Sequence, residues 1–153
     1  MKVAVLTISD ASWMKMRRDE SGPAVKARLE KQGWEAVLEV LPDEREVIAK
    51  RLRELADGGE YEAVFTTGGT GPAPRDVTQE ATRAVVERDF PGLSERMRWE
   101  GAKVTAYAAL SRGVSGIRGR TLIVNLPGSP KGAVESLESI VELIPTVVKL
   151  LRP

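Results

Sequence analysis

Short apolar, β-branched runs alternate with helix-like stretches along the whole chain, and this order constrains the fold more than any other feature. Residues 3–8, 36–41, 63–67 and 121–126 have the length and composition of buried strands. Helical patterns fall between and after them. Residues 23–32 carry Val25 and Leu29, with Pro23 in the first turn and Gly33 as a stop. A second helix opens at Asp43-Glu44-Arg45-Glu46, where Asp43 and Glu46 have capping-box spacing, and runs through Ile48, Leu52 and Leu55 to Asp57-Gly58-Gly59. Others are expected over 78–89, over much of 93–110 and over 131–151, the last kinked or restarted by Pro145. Residues 111–119 read as a turn plus a short strand. Residues 11–22 read as a polar loop whose Trp13, Met14 and Met16 pack on a neighbour. Strand–helix alternation of this kind builds a parallel sheet covered on both faces.

At 153 residues, without a linker, repeat or low-complexity stretch, the chain is expected to be a single domain spanning 1–153. Two absences limit its chemistry. With no Cys there is no thiol nucleophile, disulfide or thiolate metal site, and with no His there is no Ser-His-Asp triad or imidazole base. Carboxylates, hydroxyls, cations, backbone amides and a hard metal ion are left. The 23 basic and 22 acidic side chains leave a net charge of +1, which argues against a nucleic-acid or membrane-binding surface. The N-terminal apolar run is too short for a signal peptide, and no segment approaches the ~20 apolar residues of a membrane span. A cytoplasmic protein is the expectation.

Ligands of open α/β sheets bind outside the carboxyl ends of the strands. Four strand ends here carry unusual residues: Ser9-Asp10, Pro42-Asp43, the run from Thr66 to Asp76, and the run from Asn125 to Lys131. In the third, Thr67-Gly68-Gly69-Thr70-Gly71 leaves backbone N–H groups uncovered for an anion, while Arg75 adds a planar fork of donors suited to phosphate. The spacing matches neither the Walker A nor the dinucleotide-binding motif. Asp43 and Asp76 stand at helix starts, where each serves as an ordinary cap or first-turn acid, though Thr78 is an alternative cap that frees Asp76. If both point into one crevice, they would hold Mg²⁺ and position a nucleotide phosphate chain. Gly128, Ser129 and Lys131 form a second tight turn suited to a phosphate or a polar heterocycle. Ser111-Arg112 sits in a loop, and Trp13, Trp34, Trp99, Tyr61 and Tyr107 read as core or interface residues.

Thr67-Gly68-Gly69-Thr70-Gly71, then Arg75-Asp76-Val77-Thr78, then Leu126-Pro127-Gly128-Ser129-Pro130 resemble the MogA/MoaB-like, molybdopterin-binding proteins of molybdenum cofactor biosynthesis. Ile8-Ser9-Asp10, Pro42-Asp43-Glu44 and Leu110-Ser111-Arg112 fall in family order, so the resemblance covers essentially the whole chain. It implies a three-layer α/β/α sandwich with a mostly parallel sheet, and a homotrimer with Trp99 and the last helix at interfaces. The Arg-Asp-Val-Thr extension resembles the adenylyltransferase branch. That branch implies Mg²⁺-dependent transfer of AMP from ATP to molybdopterin, release of pyrophosphate, and delivery of the product to a molybdate-insertion protein. Carried over by position, Asp43 and Asp76 are the catalytic, metal-organising carboxylates. Gly68, Gly69, Thr70 and Gly71 cradle phosphate, with Thr67 and Arg75 beside them. Ser9, Asp10, Ser111, Arg112, Gly128, Ser129 and Lys131 line the substrate pocket. The alternative is a MoaB-like protein that binds or carries molybdopterin without catalysis; a generic nucleotide-binding regulator is a third reading.

Overall fold

A computed structural model describes residues 1–153. Six strands form one sheet in the order β2-β1-β3-β6-β5-β4, with β1 at Lys2–Ile8, β2 at Glu35–Leu41, β3 at Ala63–Thr67, β4 at Arg88–Asp89, β5 at Ser115–Arg118 and β6 at Thr121–Leu126. The pairs β1–β2, β1–β3 and β3–β6 are parallel, whereas β5 and β4 extend the far edge antiparallel. The sheet is therefore mostly parallel, as the alternation of patterns implied.

Side chains one residue apart on a strand point to opposite faces, and the core divides accordingly. Val3, Val5, Phe65, Leu122 and Val124 face one cluster, which is covered by α2 (Ser21–Glu30), α5 (Pro91–Ala102), α6 (Pro130–Ile140) and α7 (Ile144–Leu151). Ala4, Leu6, Val64 and Ile123 face the other, under α3 (Arg45–Asp57) and α4 (Thr78–Val85). Helices on both faces of one sheet make the three-layer α/β/α sandwich. Pro145 restarts the final helix as α7 after a short 3₁₀ turn at Val141–Leu143, which resolves the choice between kink and restart.

Several local readings of the sequence are corrected. Residues 11–22 are not all loop: Ser9 accepts a hydrogen bond from the Ser12 N–H and caps a one-turn helix, α1 (Asp10–Trp13), and α2 begins at Ser21. Trp13, Met14 and Met16 belong to no core cluster and remain 53–77% exposed. Asp43 does not cap α3; Glu44 occupies the cap position without a side-chain bond. The helix expected over 78–89 ends at Val85, because Val86 turns extended and Arg88–Asp89 pairs with β5. Beyond α5, residues 103–105 break the helical run, and Ala106–Leu110 is a 3₁₀ turn capped by Thr105. Trp99 and Tyr107, 72% and 78% exposed, also stand outside the core, whereas Trp34 and Tyr61 pack partly against it.

Candidate active site

The parallel register brings the four strand ends to one edge. Ile8 lies opposite Leu41, and Thr67 lies opposite both Thr7 and Leu126. Just beyond the strands, the Ser9 N–H donates to the Leu41 carbonyl at 2.9 Å and the Gly68 N–H donates to the Leu126 carbonyl at 3.2 Å. Side chains far apart in the sequence therefore meet where the sheet stops.

Asp10 and Asp43 hold each other reciprocally: each backbone N–H donates to the other's carboxylate at 2.9 Å. This exchange explains why Asp43 leaves the cap of α3 free. Arg75 closes over Asp10 with two nitrogens at 2.9 and 3.0 Å, so its fork is turned toward a carboxylate of the rim. The Asp43 N–H, then the Arg75 guanidinium, hold the Asp10 carboxyl below its ordinary value. Asp43 is shifted the opposite way. Burial pushes its pKa up, and the negative charges of Asp10 and Asp76 add to the rise despite the Asp10 N–H.

The glycine run passes directly over these groups. Gly68 and Gly69 have φ of +101° and +68°; a Cβ on Gly68 would collide with the Ile8 carbonyl, and one on Gly69 would strike the Thr78 hydroxyl and come within 3.2 Å of the Asp43 Oδ1. Only glycine allows the backbone so close to both. Thr78 holds the run from behind. Its hydroxyl donates to the Gly68 carbonyl at 2.9 Å rather than capping α4, while its N–H reaches the Gly69 carbonyl. Asp76 Oδ2 accepts the Ala73 N–H at 3.0 Å.

Arg112 secures the other side of the run. Its guanidinium donates to the carbonyls of Gly71 and Asp76, to Gln79 and to both oxygens of Glu80, and its backbone N–H donates to the Thr70 carbonyl at 2.7 Å. It is thus engaged within the loop rather than pointed at a ligand. The side chain of Lys131 is 81% exposed beside Glu135 and lines neither cavity described below.

Two cavities open at this edge and share Gly128 and Ser129. One, about 620 Å³, is lined by Asp43, Asp76, Ser9, Thr67, Gly68 and Gly69. Thr67 is fixed there by donating to the Pro127 carbonyl at 2.6 Å. The other, about 650 Å³, is lined by Thr70, Gly71 and Ser111, together with Met97, Val104, Tyr107, Ala108 and Leu110 from α5 and the segment through the 3₁₀ turn. Ser129 caps α6 by accepting the Gly132 N–H, which places its backbone at the junction of the two. Sequence reasoning overlooked Arg17 and Arg18, which line the carboxylate cavity from within the supposed loop. Two adjacent arginines in a polar stretch near a strand end were the available signal.

The carboxylate cavity offers an oxygen-only donor set, the kind a hard cation prefers. Asp43 Oδ1 lies over Gly69 while Oδ2 takes the Asp10 N–H, and burial beside other acids makes the Asp43 charge costly without a cation. No group of three or more acidic side chains is placed to hold a metal ion by itself. Mg²⁺ fits a pair, because it characteristically binds one or two carboxylates and completes its shell with water and phosphate.

Known proteins resemble this arrangement over nearly its whole length. The chain is 45% identical over 149 residues to the molybdenum cofactor synthesis protein cinnamon of Drosophila melanogaster, a match that covers 96% of this chain but only 25% of that longer protein. It is 41% identical over 152 residues to the molybdopterin adenylyltransferase of Helicobacter pylori, 97% of this chain and 86% of the relative. The crystal structure of the molybdopterin biosynthesis enzyme MoaB of Thermus thermophilus superimposes with a TM-score of 0.92 at 48% identity, covering 98% and 95% of the two chains. The family described as "Probable molybdopterin binding domain" matches residues 4–147. The chain belongs to this molybdopterin-binding family.

Proposed function

We propose that the chain is a nucleotidyltransferase of molybdenum cofactor biosynthesis, transferring AMP from ATP to molybdopterin and releasing pyrophosphate. The observation that carries this reading is the meeting of Asp43 and Asp76 in one cavity beside the glycine run, where the Gly68 N–H is spent on the Leu126 carbonyl and the Gly69 N–H makes no bond within the chain. Similarity to a molybdopterin adenylyltransferase over 97% of the chain supports it.

The reaction suits a chain without His or Cys. A terminal phosphate oxygen of molybdopterin attacks the α-phosphorus of ATP. The new P–O bond forms as the bond bridging the α- and β-phosphates breaks, and its electron pair leaves on pyrophosphate. The nucleophile is already anionic, so no side chain need remove a proton. The protein's task is to align two phosphates and offset their charge. Asp43 and Asp76 would hold Mg²⁺, which when bound supplies Lewis-acid neutralisation of phosphate oxygens. With no side chain on Gly68 or Gly69 intervening, the Gly69 N–H is left to donate to a phosphate, and Ser129 and Gly128 link this centre to the second cavity. There, Tyr107 and the apolar wall accept the flat heterocycle of a substrate.

A homotrimer, a cytoplasmic location and delivery of the product to a molybdate-insertion protein complete the proposal. Exposure of Trp99 at 72% and Leu150 at 74% supports an assembly that covers them. No helix is long and apolar enough to cross a membrane.

Asp76→Asn tests the reading: with Mg²⁺, ATP and molybdopterin, turnover should fall at least ~10²-fold while molybdopterin binding is kept. Molybdopterin binding without any ATP-dependent product in the unsubstituted protein would instead identify a carrier.

A further inference from the structure

The cations expected at the phosphate site are committed elsewhere. Arg75 closes on Asp10, Arg112 is saturated by the loop and Lys131 points away. A substrate carrying a triphosphate, however, concentrates its charge on the phosphates that leave. The carboxylates in the cavity would repel that charge unless cations faced it.

Arg17 and Arg18 are the cations that line the carboxylate cavity. Both are exposed, and neither side chain makes an ion pair or a hydrogen bond within the chain. With Lys15 they also line an adjoining recess of about 420 Å³, so a third positive side chain stands next to the pair. The one acid in that recess does not neutralise them. Asp19 accepts the Thr7 hydroxyl at 2.7 Å and the Gly22 N–H at 3.1 Å, which spends its oxygens on pinning the arm to β1 and α2. At its other end the arm is tied by the Met16 and Arg17 N–H groups to the Ala11 carbonyl, after Lys15 turns the chain at φ +58°. The arginines are therefore free while the backbone that carries them is anchored.

We infer that Arg17 and Arg18, with Lys15 behind them, form a polyphosphate-binding arm that receives the β- and γ-phosphates of the nucleoside triphosphate and holds pyrophosphate as it leaves. This deepens the adenylyl-transfer reading and rests on it for the identity of the substrate. Asp43 and Asp76, which would hold Mg²⁺, share one cavity with the unpaired Arg17 and Arg18 and with Glu20, a combination suited to an α-phosphate undergoing attack and a departing diphosphate. No atom of the arm takes part in bond exchange, so the arginines are binding groups for the leaving phosphates.

The test compares the unsubstituted protein with Arg17→Ala, Arg18→Ala and the double variant, all surface changes in a stretch outside the core. Steady-state kinetics should show a rise in KM for Mg-ATP of about tenfold per arginine, and weaker product inhibition by pyrophosphate in proportion. The KM for molybdopterin should be unchanged, which a general structural defect would not produce. Combining Arg17→Lys with Arg18→Lys, which keeps both charges, should recover most of the loss. Unaltered ATP use and pyrophosphate inhibition in an otherwise active double alanine variant would overturn the arm and leave adenylyl transfer standing. If the unsubstituted protein forms no adenylylated product, the functional reading fails. Titration calorimetry with Mg-ATP and Mg-pyrophosphate then decides the arm alone: weaker binding by the double alanine variant upholds it, and equal binding overturns it.

Discussion

Asp43 occupies an environment that raises its proton affinity, since burial and the charges of Asp10 and Asp76 all oppose its ionised form. If catalysis needs the carboxylate, activity falls as pH drops through this raised value. The acid limb of kcat/KM should therefore lie above the pH at which an ordinary aspartate titrates, and Asp43→Asn should remove activity at every pH. Asp10, whose pKa is lowered, stays ionised throughout that limb. The sign for stability also differs between the two: ionised Asp43 costs the fold above the ordinary carboxylate range, a cost relieved as pH falls, while Asp10 contributes above that range and loses its contribution on acidification. Gly68→Ala makes a second residue-level expectation. Positive φ and the Ile8 carbonyl together should cost at least ~1–3 kcal/mol, read as a lowered denaturation midpoint. Residue types at this scale were legible from the strand-end rule, because acids and glycines there have few other uses. Their partners were not. That Arg75 would turn to Asp10, or that Asp43 would exchange hydrogen bonds with Asp10 rather than cap α3, depends on the meeting of segments 33 and 65 residues apart.

The elements around the site are joined by buried polar contacts as much as by apolar packing. Asn125 on β6 donates to Thr66 on β3 at 2.9 Å and to Thr82 on α4 at 3.0 Å, and its oxygen accepts the Val114 N–H. The two threonine contacts are buried, with Asn125 only 2% exposed, and the Val114 contact is partly buried. Asn125→Leu would strand the Val114 N–H and disturb both threonines, so unfolding free energy should drop by ~2–4 kcal/mol in a denaturant titration. Arg112 performs a similar task for the glycine run. Arg112→Lys keeps one charge but cannot span the Gly71 and Asp76 carbonyls and Glu80 together. The expected result is a fall in kcat of about tenfold or more with the fold retained by circular dichroism. Parallel strands and their helices were readable from hydrophobic runs, as was the break at Pro145. The one-turn α1 and the early end of α4 were not. The first rests on a single Ser9 cap, and the second on pairing with a strand much later in the chain.

As a whole, the molecule gathers both cavities at the carboxyl edge of its parallel strands, while β5 and β4 extend the sheet antiparallel on the far side. Absence of His and Cys, an exclusion at the level of composition, agrees with a reaction whose nucleophile belongs to the substrate. Exposed Trp99 and Leu150 support the proposed homotrimer, for which light scattering coupled to gel filtration should give three times the chain mass. The most direct measurement of the central claim is a quantitative adenylylation assay. Purified protein with Mg²⁺, ATP labelled at the α-phosphate and molybdopterin should yield labelled adenylyl-molybdopterin and pyrophosphate in equal amounts, with neither formed when molybdopterin is omitted. Tight molybdopterin binding with the label remaining entirely in ATP would contradict the account.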